Sequence, residues 1–310
     1  MTNDITRDTQ RIDCIDRRHF IAGAAAAAAA VAFPGRIGLA ARAEQERFEI
    51  CAFIKFVQSL SYDEMAESIA EIGFDGIEST VRAGGHVLPE RVADDLPKQL
   101  EAVKRHGLDM TMITTDVLGV DQPLTESVLR TGAALGIKMY RMGFYRYDKK
   151  RGVMDQLNEL RPRLKDLAAL NRELGISAVY QNHSGADFVG APVWDLQYLL
   201  QDVPVDEIGV AFDIRHATVE GGLSWPLQYD IVKPHMGAVF AKDFDWVGDK
   251  AEHVPLGEGR VDRKFFKMHA QSGIDCPVSL HVEYLKNGDA QDNLAAMRRD
   301  LATLRKWLNQ

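Results

Sequence analysis

Short apolar runs alternate with longer segments of helical periodicity along most of the chain. A glycine followed by an apolar residue precedes many of these runs: Gly73-Phe74, Gly107-Leu108, Gly136-Ile137, Gly175-Ile176 and Gly273-Ile274. A glycine just past a helix adopts the left-handed cap, and the next apolar residue begins a strand. The repeated junction therefore predicts alternating helices and strands, which is the pattern of a parallel sheet covered by helices.

The apolar runs predict eight strands, at residues 49–54, 76–80, 110–114, 138–142, 177–181, 208–213, 237–242 and 277–283. The helices between them are also visible in the sequence. Ser61-x-x-Glu64 is typical of a capping box at a helix start. The last helix has an apolar stripe at helical spacing, Leu294, Met297, Leu301, Leu304 and Leu308. Eight βα units in about 265 residues favour an α/β fold of the closed (β/α)8 barrel type over an open doubly wound sheet.

The first 43 residues have a different pattern. The basic pair Arg17-Arg18 precedes an apolar run at 22–33, and the small-x-small sequence Ala41-Arg42-Ala43 follows. These are the parts of a secretory signal, and the run is shorter than the roughly 20 residues that a membrane span requires. The leader resembles the twin-arginine export signal, although Ile21-Ala22 stands where Leu-Lys is commoner. We predict a signal peptide at 1–43, a mature domain at 44–310 and a periplasmic location.

Composition narrows the class of protein. The chain has 310 residues, of which 46% are hydrophobic and 26% charged, and its formal net charge is −8. A nucleic-acid binder needs a clustered cationic surface, so this balance argues against nucleic acid as the partner. Cys51 and Cys276 lie on the first and last predicted strands, which are neighbours in a closed barrel. We predict two buried free thiols, with a disulfide as the alternative.

Ionisable and amide side chains concentrate at the carboxyl ends of the predicted strands, where barrels place their catalytic groups. This set comprises Lys55, Glu78, Arg82, His86, Arg141, Gln181, His183, Asp213, His216, Lys242, His281 and Glu283. The period-two alternation of a strand places Gln181 with His183 on one face, and His281 with Glu283. We therefore predict an active site at this rim.

Several of these residues have a structural alternative. Lys55, Glu78, Arg82, His86, Arg141 and His183 are predicted to bind substrate. An ion pair with Arg82 or Lys55 is the other interpretation of Glu78. An arginine such as Arg141 at a strand end is more often a structural ion-pair partner than a substrate ligand. His86 is equally explained as part of a solvated Gly-Gly-His turn.

Motifs on the last three predicted strands resemble a known family. They are Asp213-x-x-His216, Lys242-Asp243, the Pro-Leu-Gly-Glu-Gly loop at 255–259 and Glu283. In this order they are similar to the xylose isomerase-like TIM barrel superfamily of sugar isomerases and epimerases, over residues 48 to 308. That superfamily also contains nucleases of the endonuclease IV type. The resemblance implies a sugar substrate and the movement of a proton alpha to a carbonyl.

The family pattern also implies a divalent metal held by a Glu on strand five, an Asp on strand six, a His on strand seven and a Glu on strand eight. Asp213 and Glu283 match this pattern, but Gln181 and Phe240 stand in the other two positions. An oxygen of Gln181 and the imidazole of His281 are the predicted replacements, holding manganese, magnesium or zinc. The alternative is a metal-free site in which Lys242 or Lys55 faces a substrate oxyanion.

Within this framework Glu283 is the predicted catalytic base, assisted by His216 and Lys242. Gln181 cannot act as a base, which argues against epimerisation by two carboxylates. A one-base isomerase is the main hypothesis, and a lyase that removes the proton and expels a leaving group from a keto-sugar fits the residues equally well. The alternatives are a lyase or hydrolase acting on keto-glycosides, a non-catalytic sugar-binding barrel, and, against the acidic charge balance, a nuclease. Homo-oligomer formation stays open.

Overall fold

The computed structural model describes residues 48–285 and 288–309, in which eight parallel strands close into a barrel. The barrel strands are β1 (Ile50–Phe53), β2 (Gly76–Thr80), β3 (Asp109–Thr114), β4 (Met139–Arg141), β5 (Ser177–Gln181), β6 (Ile208–Asp213), β7 (Met236–Ala241) and β10 (Val278–Leu280). Their order around the barrel is β1-β10-β7-β6-β5-β4-β3-β2. The predicted (β/α)8 fold is confirmed. The predicted last strand is shorter than expected, because the residues after Leu280 leave the ladder at the rim.

Helices separate the strands along the chain. They are α1 (Tyr62–Ile72), α2 (Val92–Arg105), α3 (Thr125–Ala134), α4 (Val153–Leu174), α5 (Trp194–Leu200), α6 (Ile214–Gly221), α7 (Trp225–Val232), α8 (Lys264–Gln271) and α9 (Ala290–Leu308). The predicted capping box of α1 is present, since Ser61 and Glu64 each accept a backbone hydrogen bond from the other. Gly73 ends α1 at φ 102° and Gly175 ends α4 at φ 65°, as the junction pattern requires. None of the helices in the described part is long and apolar enough to cross a membrane.

Two apolar layers hold the barrel together. The larger layer lies between the strands and the surrounding helices. The smaller one fills the barrel interior below the rim and comprises Cys51, Met112, Val179, Ala211, Ala238 and Phe240. Cys51 and Cys276 are both buried free thiols, as predicted. Buried polar side chains, among them Glu78, Gln181 and Asp213, occupy the barrel interior above this layer.

An antiparallel hairpin that was not predicted follows β7. It consists of β8 (Asp243–Val247) and β9 (Lys250–Val254). Its sequence carries a hairpin signal, because a Gly-Asp pair separates two runs of mixed apolar and polar residues. Gly248 in that turn has φ 64°, which favours glycine. The hairpin brings β9 beside the barrel mouth.

The buried carboxylate of Asp243 fixes the chain that follows this hairpin. Its Oδ2 accepts hydrogen bonds from the backbone N–H groups of Gly257 (3.0 Å) and Gly259 (3.1 Å). Its Oδ1 accepts from those of Phe244 (2.8 Å) and Val261 (2.9 Å). A Cβ on Gly259 would lie 2.2 Å from the Phe244 carbonyl oxygen, so only glycine fits there. The Gly-Glu-Gly motif is therefore the anchor of a loop over the mouth.

Candidate active site

A cavity of about 300 Å³ opens at the carboxyl ends of the strands. Its lining is Phe53, Lys55, Arg82, Arg141, Phe144, Gln181, His183, Arg215, His216, Lys242, His253 and Glu283. The volume is at the lower end of the roughly 300–1,000 Å³ of small-molecule sites. Most of the predicted rim residues therefore meet at one monosaccharide-sized cavity. Glu78, Asp213 and His281 lie directly behind its wall.

Lys242 links two carboxylates in the cavity wall. Its Nζ lies 3.0 Å from Asp213 Oδ2 and 3.2 Å from Glu283 Oε1, and its side chain is 5% exposed. An ammonium group carries three N–H donors, so a third remains for a ligand in the cavity. Asp213 is held in place as the N-cap of α6, where its Oδ1 accepts from the backbone N–H of His216 (3.0 Å).

Gln181 extends this chain of contacts to the other side of the cavity. Its Nε2 donates to Asp213 Oδ2 (2.7 Å), and its Oε1 accepts from a terminal nitrogen of Arg141 (2.6 Å). The amide oxygen therefore accepts a hydrogen bond from the guanidinium of Arg141, and the amide nitrogen donates one to the carboxylate of Asp213. In this orientation Gln181 is a spacer between Arg141 and Asp213.

His281 lies behind the cavity between two carboxylates. Its Nε2 is 2.9 Å from Glu78 Oε2 and its Nδ1 is 3.3 Å from Glu283 Oε1. The ring stacks on Phe53 with centroids 4.3 Å apart and packs against Phe240 at 4.5 Å. Because ionised carboxylates only accept, a ring that carries both protons satisfies both contacts. His281 thereby connects the cavity to the buried Glu78.

Glu78 is fully buried inside the barrel. Its carboxylate accepts hydrogen bonds from the hydroxyl groups of Thr114 and Ser279, in addition to its contact with His281. Burial alone would raise the pKa of Glu78, but His281 and Arg141 outweigh burial and lower it to about 2. Glu78 therefore positions His281. The ion pair with Arg82 or Lys55 considered from the sequence does not form.

This arrangement does not fit a divalent cation. The predicted ligands Gln181, Asp213, His281 and Glu283 do come together, but the ammonium of Lys242 lies between the two carboxylates. The oxygen of Gln181 and both ring nitrogens of His281 already have partners. Within the described residues, no three His, Cys, Asp or Glu side chains are placed to hold a metal. The geometry matches the metal-free alternative, with Lys242 as the cation.

Glu283 presents an ionised carboxylate to the cavity. Burial alone would raise its pKa, but Lys242, followed by His281 and His253, holds the pKa of Glu283 well below its usual range. Among the described residues, its side-chain hydrogen-bond partners contact Oε1. The second oxygen is left to accept a proton from a ligand.

Two neutral imidazoles, His183 and His216, line the same cavity, with ring centroids 4.0 Å apart. The Nδ1 of His183 lies 2.9 Å from the carbonyl oxygen of Ser184. A carbonyl only accepts, so Nδ1 carries the proton and Nε2 carries the lone pair. The pKa of His183 is lowered to about 4, first by burial and then by Lys242. His183 is thus an acceptor at neutral pH.

His216 has the opposite tautomer. Its Nδ1 lies 2.9 Å from a terminal nitrogen of Arg215 and 2.8 Å from Ser184 Oγ. A guanidinium only donates, so Nδ1 carries the lone pair and the proton is on Nε2. Burial, followed by Lys242, lowers the pKa of His216 well below its usual value. Its Nε2–H is buried without a hydrogen-bond partner among the described residues, at 3.5 Å from Asp213 Oδ2.

The predicted substrate-binding residues differ in their placement. Lys55, Arg82, Arg141 and His183 line the cavity. His86 does not, because its Nδ1 and its backbone N–H contact the hydroxyl of Thr80 at 3.0 and 2.9 Å. That pairing holds the 82–86 turn together.

The site also contains residues that the sequence did not single out, namely Phe53, Phe144, Arg215 and His253. Arg215 follows Asp213 in a motif that was noted, and it donates to the Ala251 carbonyl on β9 (2.6 Å). His253 lies on β9. If the hairpin had been predicted from its Gly-Asp turn, His253 would have been expected near the rim. Phe53 ends β1, where apolar side chains are usually part of the core, and Phe144 lies in the loop after β4. Neither residue type by itself indicates a site.

Comparison with known proteins assigns the family. The model of the Xylose isomerase-like TIM barrel family matches residues 66–307, and the chain therefore belongs to this family. A model of the TAT (twin-arginine translocation) pathway signal sequence matches residues 14–34, which confirms the twin-arginine leader. The predicted signal peptide at 1–43 lies outside the described residues. A search of curated proteins gave no match.

Solved structures share the fold at low identity. A 3-keto-D-glucoside 4-epimerase from E. coli is 17% identical over 84% of this chain and 99% of its own, with a TM-score of 0.64. A probable 3-DHS dehydratase from Bacillus anthracis is 15% identical over 82% and 98%, with a TM-score of 0.65. A Xylose isomerase-like TIM barrel protein from Mycobacterium smegmatis, in complex with magnesium, is 14% identical over 84% and 97%, with a TM-score of 0.64.

Proposed function

We propose that this protein is a sugar isomerase that moves a proton through an enediolate with Lys242 as its resident cation. The observation that carries the proposal is the contact of the Lys242 ammonium with Glu283, 3.2 Å apart in the wall of the cavity. A carboxylate base and a fixed positive charge are the two groups that proton abstraction alpha to a carbonyl requires.

The steps follow from the atoms in the wall. Glu283 takes the proton from the carbon next to the substrate carbonyl, and the released electron pair forms the carbon–carbon double bond of the enediolate. The carbonyl electrons move onto oxygen, where the third N–H of Lys242 stabilises the negative charge. Glu283 then returns the proton to the former carbonyl carbon, and the neighbouring oxygen becomes the new carbonyl once its hydroxyl proton has moved to the former carbonyl oxygen. The carbon proton is thus moved by a single base.

The two imidazoles serve the oxygen atoms of the same step. His216 donates a hydrogen bond from its Nε2–H to the carbonyl oxygen without giving up the proton. His183 takes the proton of the neighbouring hydroxyl at Nε2 and passes it to the former carbonyl oxygen, so that both rings end neutral. Both rings are neutral, so neither competes with Lys242 as a charge. A carboxylate base with a neutral imidazole is an established arrangement for enediolate chemistry. It also accounts for the loss of the second carboxylate at Gln181.

The comparisons support the substrate class and the compartment. A sugar substrate agrees with the family and with the description of one structural neighbour as a 3-keto-D-glucoside 4-epimerase. The twin-arginine leader supports work in the periplasm after export of the folded chain. Periplasmic sugars are usually unphosphorylated, so aldoses, ketoses and 3-keto sugars of that kind form the first panel.

Deuterium exchange at the carbon next to the carbonyl tests this function. Wild-type protein in D₂O should exchange that proton with at least one sugar of the panel, equally with and without EDTA. Glu283→Gln should slow the exchange by about 10²- to 10⁴-fold while binding is retained. Glu258→Gln, an exposed change in the loop over the mouth, is the control that should have no effect.

The remaining outcomes contradict the proposal in distinct ways. Exchange that requires added manganese would restore a metal mechanism. An unsaturated product would make the protein a keto-sugar lyase. Binding without exchange in the wild type would leave a sugar-binding barrel.

A further inference from the structure

The cavity carries more positive charge than its chemistry uses. Lys55, Arg82, Arg141, Arg215 and Lys242 line it, whereas Glu283 is the single lining carboxylate among the described residues. Lys242 is neutralised by Asp213 and Glu283. None of the other four cations has a carboxylate within 4.0 Å in the part of the chain that the structure describes. An anionic ligand would compensate this excess.

Burial makes the excess costly in the free protein. Arg141 is 5% exposed, its Nε has no hydrogen-bond partner among the described residues, and one terminal nitrogen donates to neutral Gln181. Burial, and then the like charges of Arg82, Arg141 and Lys242, lowers the pKa of Lys55 despite Glu283. Glu78 and Glu283 act on these cations through space, but among the described residues no carboxylate contacts them. Buried cations near one another without a counter-charge in contact are unfavourable unless a ligand supplies the charge.

Three of these four cations lie on one side of the barrel, whereas Arg215 lies just after β6 on the other. Lys55, Arg82 and Arg141 follow or end β1, β2 and β4, whereas the proton-transfer groups follow β10, β7, β6 and β5. In the barrel order these two sets of strands occupy opposite halves. A ligand whose carbonyl lies at Glu283 and Lys242 therefore directs its far end toward the three cations.

We propose that the substrate is a monosaccharide-sized sugar with an anionic group, a carboxylate or a phosphate, at the end opposite its reacting carbonyl. Lys55, Arg82 and Arg141 bind that group. Guanidinium groups match the oxygens of both anions with paired hydrogen bonds. The inference rests on the proposed function for the orientation of the substrate, but the affinity for the anionic group is a separate property.

Binding of three polyols that have no carbonyl tests the proposal without turnover. D-glucitol is neutral, D-gluconate carries a carboxylate and D-glucitol 6-phosphate carries a phosphate. Calorimetry on the wild-type protein should give at least tenfold tighter binding for one of the two anions than for D-glucitol. Which anion binds more tightly identifies the substrate's group. The preference should weaken as ionic strength rises.

Two arginine variants assign the site. Arg82→Gln should weaken binding of the preferred anion by about tenfold to a hundredfold, the range for a hydrogen bond to a charged group, and leave D-glucitol unchanged. Arg91→Gln, an exposed arginine paired with Asp94 and Asp95, is the matched control and should change neither. Equal affinity for all three polyols, no binding of any of them, or equal loss in both variants would overturn the proposal.

The failure of this inference is distinguishable from that of the isomerase function. Tight anion binding without deuterium exchange of D-glucuronate or D-glucose 6-phosphate would retain the anion site and reject the isomerase. Exchange of D-glucose with the same kcat/KM as D-glucuronate and D-glucose 6-phosphate would retain the isomerase and reject the anion site.

Discussion

The ammonium group of Lys242 contacts both Asp213 and Glu283. Removing it therefore takes away a positive charge beside these carboxylates as well as the contacts with them. We expect Lys242→Met to reduce kcat by about 10²- to 10³-fold, the loss typical of one oxyanion donor. Lys242 is the main group that lowers the pKa of Glu283, so the acidic limb of the pH–rate profile should move to higher pH.

A pH series of kcat/KM on the two proteins checks this expectation. Lys250→Met, at an exposed position on β9, is the control and should reproduce the wild-type profile. An unchanged acidic limb in Lys242→Met would show that Lys242 does not set the ionisation of Glu283.

Glu78 gives a prediction about stability at low pH. Its pKa is lowered to about 2 in the folded state from 4.5, so the stabilisation is present above 4.5 and is lost as the pH falls toward 2. A shift of that size corresponds to roughly 3 kcal/mol. Urea unfolding of wild type and Glu78→Gln should differ most at pH 6 and converge as the pH approaches 3. A constant difference over this range would contradict the assignment.

At the scale of elements, the hairpin β8–β9 and the loop after it depend on one carboxylate. Asp243→Asn keeps one acceptor oxygen and replaces the other with a donor that faces two backbone N–H groups. Each buried donor without an acceptor costs about 1–3 kcal/mol. We therefore expect the free energy of unfolding to fall by roughly 2–6 kcal/mol in chemical denaturation.

Asp245→Asn is the matched control for this change. Asp245 lies two residues further along β8, is 43% exposed and pairs with Arg260 at the surface. Surface ion pairs contribute about 0–1 kcal/mol, so its loss should be small. A similar effect of both variants would mean that Asp243 does not anchor the loop.

The alternation of side chains along a strand predicts well which residues share a face. Period two placed Gln181 with His183 and His281 with Glu283, and these pairs do face the barrel interior or its mouth. It did not predict which side chains meet, because Glu78 and His281 are 203 residues apart in sequence. Such contacts depend on closure of the barrel between β1 and β10.

At the scale of the whole molecule, the twin-arginine leader is the basis for our prediction that the chain is exported. Replacing Arg17-Arg18 with Lys-Lys should leave the full-length chain in the cytoplasm, because the twin-arginine pair is the address that the export machinery recognises. Cell fractionation measures this, and the intact mass of the exported wild type should correspond to cleavage after Ala43. Normal export of the Lys-Lys variant would contradict the prediction.

The sequence by itself determined the barrel, its leader and the rim on which the site lies. Those properties follow from local patterns: apolar period, glycine caps, and the position of polar residues after each strand. Only the tertiary structure placed the Nζ of Lys242 between Asp213 and Glu283, and our proposal of an ammonium in place of a metal rests on that position. The sequence likewise does not show the excess of positive charge in the cavity. Whether a cation has a carboxylate in contact depends on distances between side chains that are far apart in sequence.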